Sequence, residues 1–250
     1  MRILFILIPL FWGTQVKEIR GIEADNLQRL YVWNANKLVL YERDGTELFS
    51  YSESAFGEIE WVDVRDPMKP MVFFKDAGKA VLLDNTLSAQ GGEIDLFRIY
   101  SGLGTLFASS IDHHYWVFDS ERQELLRLDA SFSIVTRSGN LGALGLDGMN
   151  PERLQECNGK VYLWEEDYGF VVFDIYGTLV RRIPQDNVQN YHVNSFGFIM
   201  TTTEGSVLKY NWMDYEFFEI QLESKEPVID VIDMGKNKVI WVEDEVRVIR

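Results

Sequence analysis

Few side chains in this sequence combine the types and spacing that chemistry requires. The chain has three histidines, and Asp112-His113-His114 is the only place where two of them adjoin an acid. Successive strand residues point to opposite faces, so these two imidazoles could share a metal ion only from a loop. No HExxH, paired-cysteine or Ser-His-Asp pattern accompanies them. The third histidine, His192, lies far from this pair in sequence. The sequence therefore predicts that 112–114 is a polar turn leading into Tyr115.

Cys157 is the only cysteine, so an intramolecular disulfide is impossible. No histidine lies near it in sequence, and acidic neighbours such as Glu156 would raise rather than lower the pKa of its thiol. We expect a buried, small apolar side chain and not a nucleophile.

The elements that carry these residues follow a repeated pattern. An apolar run, a short polar turn and a second apolar run recur along the chain, as in Leu30–Trp33 followed by Lys37–Tyr41. The second runs end about 42 residues apart on average, a spacing typical of propeller blades. Their last residues are Tyr41, Leu83, Leu128, Phe173, Tyr210 and Ile249.

Each hairpin is preceded by a predicted inner strand and followed by a more polar outer one. The predicted fold is all-β, a six-bladed β-propeller of four-stranded antiparallel blades. It forms a single domain over residues 15–250, with the last blade closed by an N-terminal strand from Gln15–Arg20. The least regular connection is 142–154, where one helical turn is expected at 151–154. Its apolar side chains either pack down on the core, which is favoured, or face a partner.

The first residues resemble a secretory leader. Arg2 precedes the apolar stretch 3–12, which is too short to span a bilayer but suits a signal peptide. We assign 1–14 as signal peptide, although the small residues of a standard cleavage site are absent. The alternative is a first buried strand. The leader predicts a location in the periplasm or outside the cell, and association with the outer membrane is compatible with either.

The charge balance excludes several partners. The chain carries 39 acidic and 24 basic residues, a net charge of −15. Nucleic acid and anionic lipid headgroups are poor partners for such a surface, whereas a basic protein surface or a divalent cation is a better one.

Most aromatic residues fall on the hairpins and are expected in the core, including Trp33, Trp116, Trp164 and Trp241. Trp212 differs, because it lies in a turn between acids and is a candidate contact residue if exposed. Acids cluster in the turns at 165–167 and 243–245, which emerge on one face of a propeller and would form an acidic rim with Asp76 and Glu204. Surface acids of this kind are explained by solubility. The alternative is that the rim binds Ca²⁺.

The first unit carries a family resemblance. Residues 24–32 (ADNLQRLYV), followed by Leu40-Tyr41-Glu42-Arg43-Asp44-Gly45, resemble the NHL-type six-bladed propeller repeat. The segments 59–87 and 172–178 are similar to propeller-like envelope proteins of Bacteroidota. The chain departs from NHL repeats at Gln28, which replaces the turn glycine, and at 211–214, which replaces "DxxG". The resemblance implies a fold and a lineage but no enzymatic motif.

These observations favour a non-enzymatic envelope protein that acts as a protein interaction scaffold, without a cofactor, a metal or a membrane span. The predicted contact surface combines the 142–154 connection with the acidic face, and its candidate residues are Leu144, Met149, Glu166, Asp167, Tyr168 and Trp212. Two alternatives remain. One is a Ca²⁺-dependent lactonase-like hydrolase or lyase acting on a small molecule, and the other is carbohydrate binding through aromatic platforms.

Overall fold

The structure is a ring of six blades, each a four-stranded antiparallel sheet. The computed structural model describes residues 10–12, 16–100, 102, 104–222, 224, 226–235, 237–243 and 245–249. Helical structure in these ranges is confined to Leu96–Ile99 and two short 3₁₀ turns, Ile111–His113 and Leu141–Leu144. The predicted six-bladed β-propeller is confirmed.

In blades 1 to 5 the strands follow one another in the chain from the axis outward, and in blade 6 the outermost strand comes from the N-terminal part of the chain. Blade 1 comprises Gly21–Ala24, Leu30–Trp33, Lys37–Tyr41 and Glu47–Ser52, and blade 2 comprises Trp61–Asp63, Met71–Phe74, Lys79–Leu82 and Ile94–Asp95. Blade 3 comprises Gly104–Ser109, Tyr115–Asp119, Glu124–Leu128 and Ile134–Asn140, and blade 4 comprises Arg153–Cys157, Lys160–Glu165, Gly169–Asp174 and Leu179–Ile183. Blade 5 comprises Val188–Asn194, Gly197–Thr202, Val207–Asn211 and Glu216–Glu219, and blade 6 comprises Val228–Met234, Asn237–Val242 and Glu245–Ile249 with Leu10–Trp12 outermost.

The N-terminal strand closes blade 6, as predicted, but the predicted residues were wrong. Leu10–Trp12 pairs antiparallel with Glu245–Ile249, whereas 16–20 forms no strand. The amide of Arg20 instead donates to the carbonyl of Trp33, which attaches this segment to blade 1. The closing strand thus falls within the predicted leader 1–14. Cleavage after Thr14 would remove it, so the intact mass of the mature protein tests the leader prediction directly.

A repeated turn explains the "DxxG" pattern. In blade 4 the carboxylate of Asp174 accepts hydrogen bonds from the amides of Tyr176 and Thr178, and Gly177 follows with a φ of 76°. Asn211 reproduces the start of this turn in blade 5, where its Oδ1 accepts from the amide of Met213. An amide oxygen can therefore replace the carboxylate, because the turn needs only an acceptor.

Aromatic side chains join neighbouring blades. Trp33 of blade 1 meets Trp61 of blade 2 edge to face, with ring centroids 5.8 Å apart. The ring centroid of Phe170 in blade 4 lies 4.2 Å from that of Phe198 in blade 5. All four tryptophans predicted in the core are buried, namely Trp33, Trp116, Trp164 and Trp241.

The irregular connection after blade 3 packs inward. Leu141, Leu146 and Met149 are fully buried in the cluster between blades 3 and 4, with Leu144 partly buried against it. The helical turn expected at 151–154 is wrong, because Arg153–Cys157 is the inner strand of blade 4. The helical turn in this connection is Leu141–Leu144, which ends at Gly145 in the left-handed conformation.

The ring has two faces, which we name after the inner strands. At the N-face the inner strands begin, and there the turns between second and third strands meet the connections between blades. At the C-face the inner strands end, and there lie the turns between first and second strands and between third and fourth strands. The acidic turn at 165–169 therefore lies on the N-face, and the turn that contains Trp212 lies on the C-face.

Candidate functional site

Each inner strand places a buried polar side chain near the axis. One residue comes from each blade in order, namely Glu23, Asp63, Ser109, Glu156, His192 and Asp230. Burial of a polar group costs free energy unless it is hydrogen-bonded, and most of these groups find partners on a neighbouring blade. The axial channel is therefore the most polar buried region that the structure describes.

His192 lies at the centre of this region between two carboxylates. Its Nδ1 is 3.1 Å from Oε1 of Glu23, and its Nε2 is 2.9 Å from both carboxylate oxygens of Asp230. Both ring nitrogens therefore face acceptors, an arrangement that suits an imidazolium, in which both are donors. The histidine ties blade 5 to blades 1 and 6.

The electrostatics agree with this geometry. Burial by itself would lower the pKa of His192, but the carboxylates of Asp230 and Glu23 outweigh it and raise the pKa to about 9. The imidazole is therefore charged at neutral pH. While it is protonated, the imidazolium pairs with both carboxylates and stabilises the channel.

Glu156 forms a second buried network between blades 3 and 4. Its carboxylate accepts from the indole of Trp116 at 2.6 Å, from the hydroxyl of Ser110 at 2.5 Å and from the amide of Ile111 at 3.2 Å. Arg127 donates to the same hydroxyl at 2.9 Å. These bonds satisfy both carboxylate oxygens, so Glu156 acts as a structural link.

A cavity of about 180 Å³ opens on the N-face, and we call it the N-cavity. Its walls include three tryptophans, Trp33, Trp61 and Trp164, together with Tyr191 and Arg153. Arg153 begins the inner strand of blade 4, where it is the register partner of Trp164. A second guanidinium, that of Arg20, also lines the cavity and is paired with Glu58. Aromatic walls beside these two groups make a cavity suited to a small ligand.

A larger cavity of about 390 Å³ opens on the C-face, and we call it the C-cavity. Glu23 and His192 form part of its wall, whereas Asp230 lines the N-cavity. His192 with its partners Glu23 and Asp230, which we call the His192 layer, therefore separates the two cavities. Cys157 also lines the C-cavity, and burial raises the pKa of its thiol to about 11, which agrees with the prediction that it is no nucleophile.

The two adjacent histidines lie beside a third cavity, of about 190 Å³, between blades 2 and 3 on the C-face. Asp112 and His113 occupy the left-handed region of a 3₁₀ turn, and Nδ1 of His114 is 2.9 Å from the carbonyl of Asp112. The predicted polar turn before Tyr115 is confirmed. No group of three His, Cys, Asp or Glu residues is arranged to hold a metal ion in the described ranges.

The structure separates the six predicted contact residues. Glu166 and Asp167 are exposed on the N-face, and the hydroxyl of Tyr168 donates to the carbonyl of Asp147. Met149 is fully buried and Leu144 packs on the core, so neither presents much surface. Trp212 lies on the opposite face, partly buried, with its indole donating to Tyr162.

Sequence reasoning missed the axial residues. Glu23 and Asp230 each interrupt or flank a run of apolar residues, and that interruption was the available signal, whereas Glu156 lies in the polar strand Arg153–Cys157 and had none. The interruption does not reveal which of them meet, because the contacts join residues far apart in the chain. His192 and Glu23 are 169 positions apart.

No protein-family profile and no curated protein matches the sequence. Among solved structures, the chain is similar to a catalytically inactive His-to-Ala variant of virginiamycin B lyase from Staphylococcus aureus with quinupristin. The TM-score is 0.64 at 12% identity, over 98% of this chain and 99% of that chain. The Pan2 WD40 domain of Neurospora crassa gives 0.54 at 9% identity, over 93% and 88%.

The extracellular domain of a one-component system from B. thetaiotaomicron gives a TM-score of 0.58 at 11% identity, over 93% of this chain and 33% of that one. These neighbours include a lyase and a WD40 domain. At such low identity the likeness shows the fold alone, and the fold is that of a β-propeller.

Proposed function

We propose that this chain is a non-enzymatic binding protein of the cell envelope, a scaffold whose protein partner docks on the C-face. The observation that carries the proposal is a set of exposed apolar side chains at the tips of the C-face turns. These C-face tips are Leu27, Met68, Tyr176, Phe196, Met213 and Tyr215. Exposed apolar patches of this kind mark interaction surfaces.

The C-face tips are held in place by contacts between turns. The amide of Trp212 donates to the carbonyl of Phe196, which joins the two C-face turns of blade 5. Arg29 donates to the carbonyl of Pro67 at 3.3 Å, which joins the turns that carry Leu27 and Met68. A preorganised surface loses little entropy on binding.

The partner should be basic. The chain carries a net charge of −15, and the sequence favours a basic protein surface for that reason. The envelope location rests on the predicted leader, which must then be retained or be cleaved before Leu10, because Leu10–Trp12 closes blade 6. The absence of catalysis is part of the proposal, and it is supported by the paired state of His192 and by the raised pKa of the Cys157 thiol.

The test is recovery of the protein from its native envelope, followed by binding of the co-purified partner to purified variants. Phe196→Glu and Met213→Glu change tips that are 67% and 81% exposed, and both should abolish binding. Phe97→Glu is the matched control, because Phe97 is 60% exposed but lies on the N-face side. Binding should also weaken as salt is raised.

The paired variant Glu166→Lys/Asp167→Lys tests the surface predicted from sequence. If these changes abolish binding while the C-face variants leave it intact, the partner docks on the acidic N-face and the proposal is overturned. The proposal also fails if no variant on either face alters retention of the partner.

A further inference from the structure

The N-cavity contains an unusual concentration of hydrogen-bond donors without acceptors. Buried side-chain atoms that lack a partner in the described part of the chain include the indole nitrogens of Trp33, Trp61 and Trp164, the hydroxyl of Tyr191 and Nε of Arg153. All five residues line this cavity. Buried donors without acceptors are costly and uncommon in folded proteins. Their clustering points to a group that is supplied from outside.

Arg153 is the donor that a ligand can reach. Its Nη1 donates to the carbonyl of Tyr191 at 2.7 Å, and its guanidinium lies 3.4 Å from the ring centre of Trp61. Nη2 has no partner in the described ranges and is not among the buried atoms. The guanidinium also lies 4.8 Å from the ring centre of Tyr191. It is thus fixed by one hydrogen bond and two aromatic rings, and its Nε and Nη2 keep donors without acceptors.

No carboxylate pairs with this cation in the described ranges. Ion pairs within 4 Å are made by other arginines, such as Arg29 with Asp25, but none is made by Arg153. Burial lowers the pKa of the Arg153 guanidinium, with Tyr191, Glu23 and Asp230 opposing that effect, yet an arginine stays charged. A partly buried, stacked guanidinium with free donors is the usual receptor for a carboxylate.

The surrounding walls define the rest of the ligand. Trp33, Trp61 and Trp164, each less than a tenth exposed, form the apolar part of the wall, and the volume of about 180 Å³ admits only a small molecule. Three carboxylates also stand on the wall, namely the exposed Glu60 and Glu152 and the buried Asp230, which is paired with His192. They disfavour ligands with several negative charges, so the cavity suits one carboxylate on a compact ring.

We propose that the N-cavity binds a small monocarboxylic acid with a ring-shaped body, its carboxylate on Arg153 and its ring against the tryptophans. The site is separate from the C-face tips, since the His192 layer lies between the N-cavity and the C-cavity. A variant of this protein could therefore lose partner binding at the C-face tips and still bind the acid in the N-cavity, or the reverse.

The test compares acids with neutral molecules of similar shape. Benzoate and glucuronate are titrated against benzamide and glucose by calorimetry and by thermal shift on the full chain. At least one acid should bind at millimolar concentrations or below and raise the melting temperature, and its neutral counterpart should bind roughly tenfold more weakly or worse.

Variants assign the binding to Arg153. Arg153→Met should abolish binding of the acid, and Arg153→Lys, which keeps the charge but loses the planar fork, should weaken it. Arg182→Met, an exposed arginine on the outer strand of the same blade, should leave it unchanged. If Arg153→Met fails to fold, Trp61→Phe serves in its place. This change keeps a ring beneath the guanidinium and should weaken binding of the acid. Equal binding of acid and neutral counterpart, binding that survives loss of Arg153, or no binding of either acid would each overturn the inference.

Discussion

The charged histidine at the axis makes stability depend on pH in a defined window. In the unfolded chain the pKa of His192 is its ordinary 6.5, and in the folded protein the flanking carboxylates raise it to about 9. Because the folded value is the higher one, the stabilisation is fully present below about pH 6.5 and is lost as pH rises through about 9.

The size of the effect follows from the same two values. A pKa difference of about 2.5 corresponds to about 3 kcal/mol, at roughly 1.4 kcal/mol for each pKa unit. The residue is 3% exposed, so solvent screening takes little from this figure. We therefore expect the free energy of unfolding to fall by up to about 3 kcal/mol between pH 6.5 and a pH above 9.

The assay is reversible urea unfolding at a series of pH values from 6 to 9.5, under reducing conditions. Cys157 sets the upper limit, because burial raises the pKa of its thiol from 9.0 to about 11 and adds its own loss of stability at higher pH. His192→Gln should be less stable near pH 6.5 and should lack most of the slope. Asp230→Asn should shrink the slope, because one of the two carboxylates that raise the pKa is gone.

Two outcomes would refute the reasoning. One is a wild-type free energy of unfolding that is the same at pH 6.5 and pH 9. The other is a slope that His192→Gln retains in full, since the titrating group would then lie elsewhere.

Three further predictions concern packing. Trp212→Ala should cost about 2 kcal/mol, because the ring is partly buried and its indole binds Tyr162 at 2.8 Å; chemical denaturation checks this. Glu156→Ala should cost about 3 kcal/mol or more by leaving Trp116 unpaired, while Glu156→Gln should cost less, as thermal melts would show. Deleting Leu10–Trp12 should lower the melting temperature by several degrees, at roughly 2–4 °C per kcal/mol, whereas an unchanged melt contradicts closure by this strand.

The sequence predicts the architecture well because the signal is local. A hairpin such as Leu30–Trp33 with Lys37–Tyr41 has its turn and both apolar runs within a dozen residues, and the pairing observed in the structure is the predicted one. Closure of the ring was also predictable from an unpaired last blade. The choice of Leu10–Trp12 over 15–20 was not, because it depends on pairing between the two ends of the chain, which leaves no local signal in the sequence.

The candidate site was harder to predict, since its parts come from different blades. Trp212 shows the limit of local reasoning, because a tryptophan between polar turn residues suggested exposure while the packing partner, Tyr162, lies 50 positions away. Arg153 gave no signal either. It lies in a stretch where a helical turn was predicted, and only the fold places it between Trp61 and Tyr191.

The charges around His192 connect its pH-dependent protonation with the proposed binding of an acid at Arg153. Around His192, Glu23 and Asp230 carry two negative charges, and His192 and Arg153 carry two positive ones, so these four side chains together are neutral while the imidazole is protonated. When His192 loses its proton near pH 9, the group becomes net negative beside the N-cavity.

A carboxylate bound to Arg153 should therefore be held more weakly above about pH 9 than at pH 7. Titration of the bound acid across this range would show the decline, and His192→Gln should give an affinity that no longer changes with pH. An affinity that is constant in the wild type would mean that the N-cavity does not sense the axial charge, because Arg153 itself stays protonated throughout.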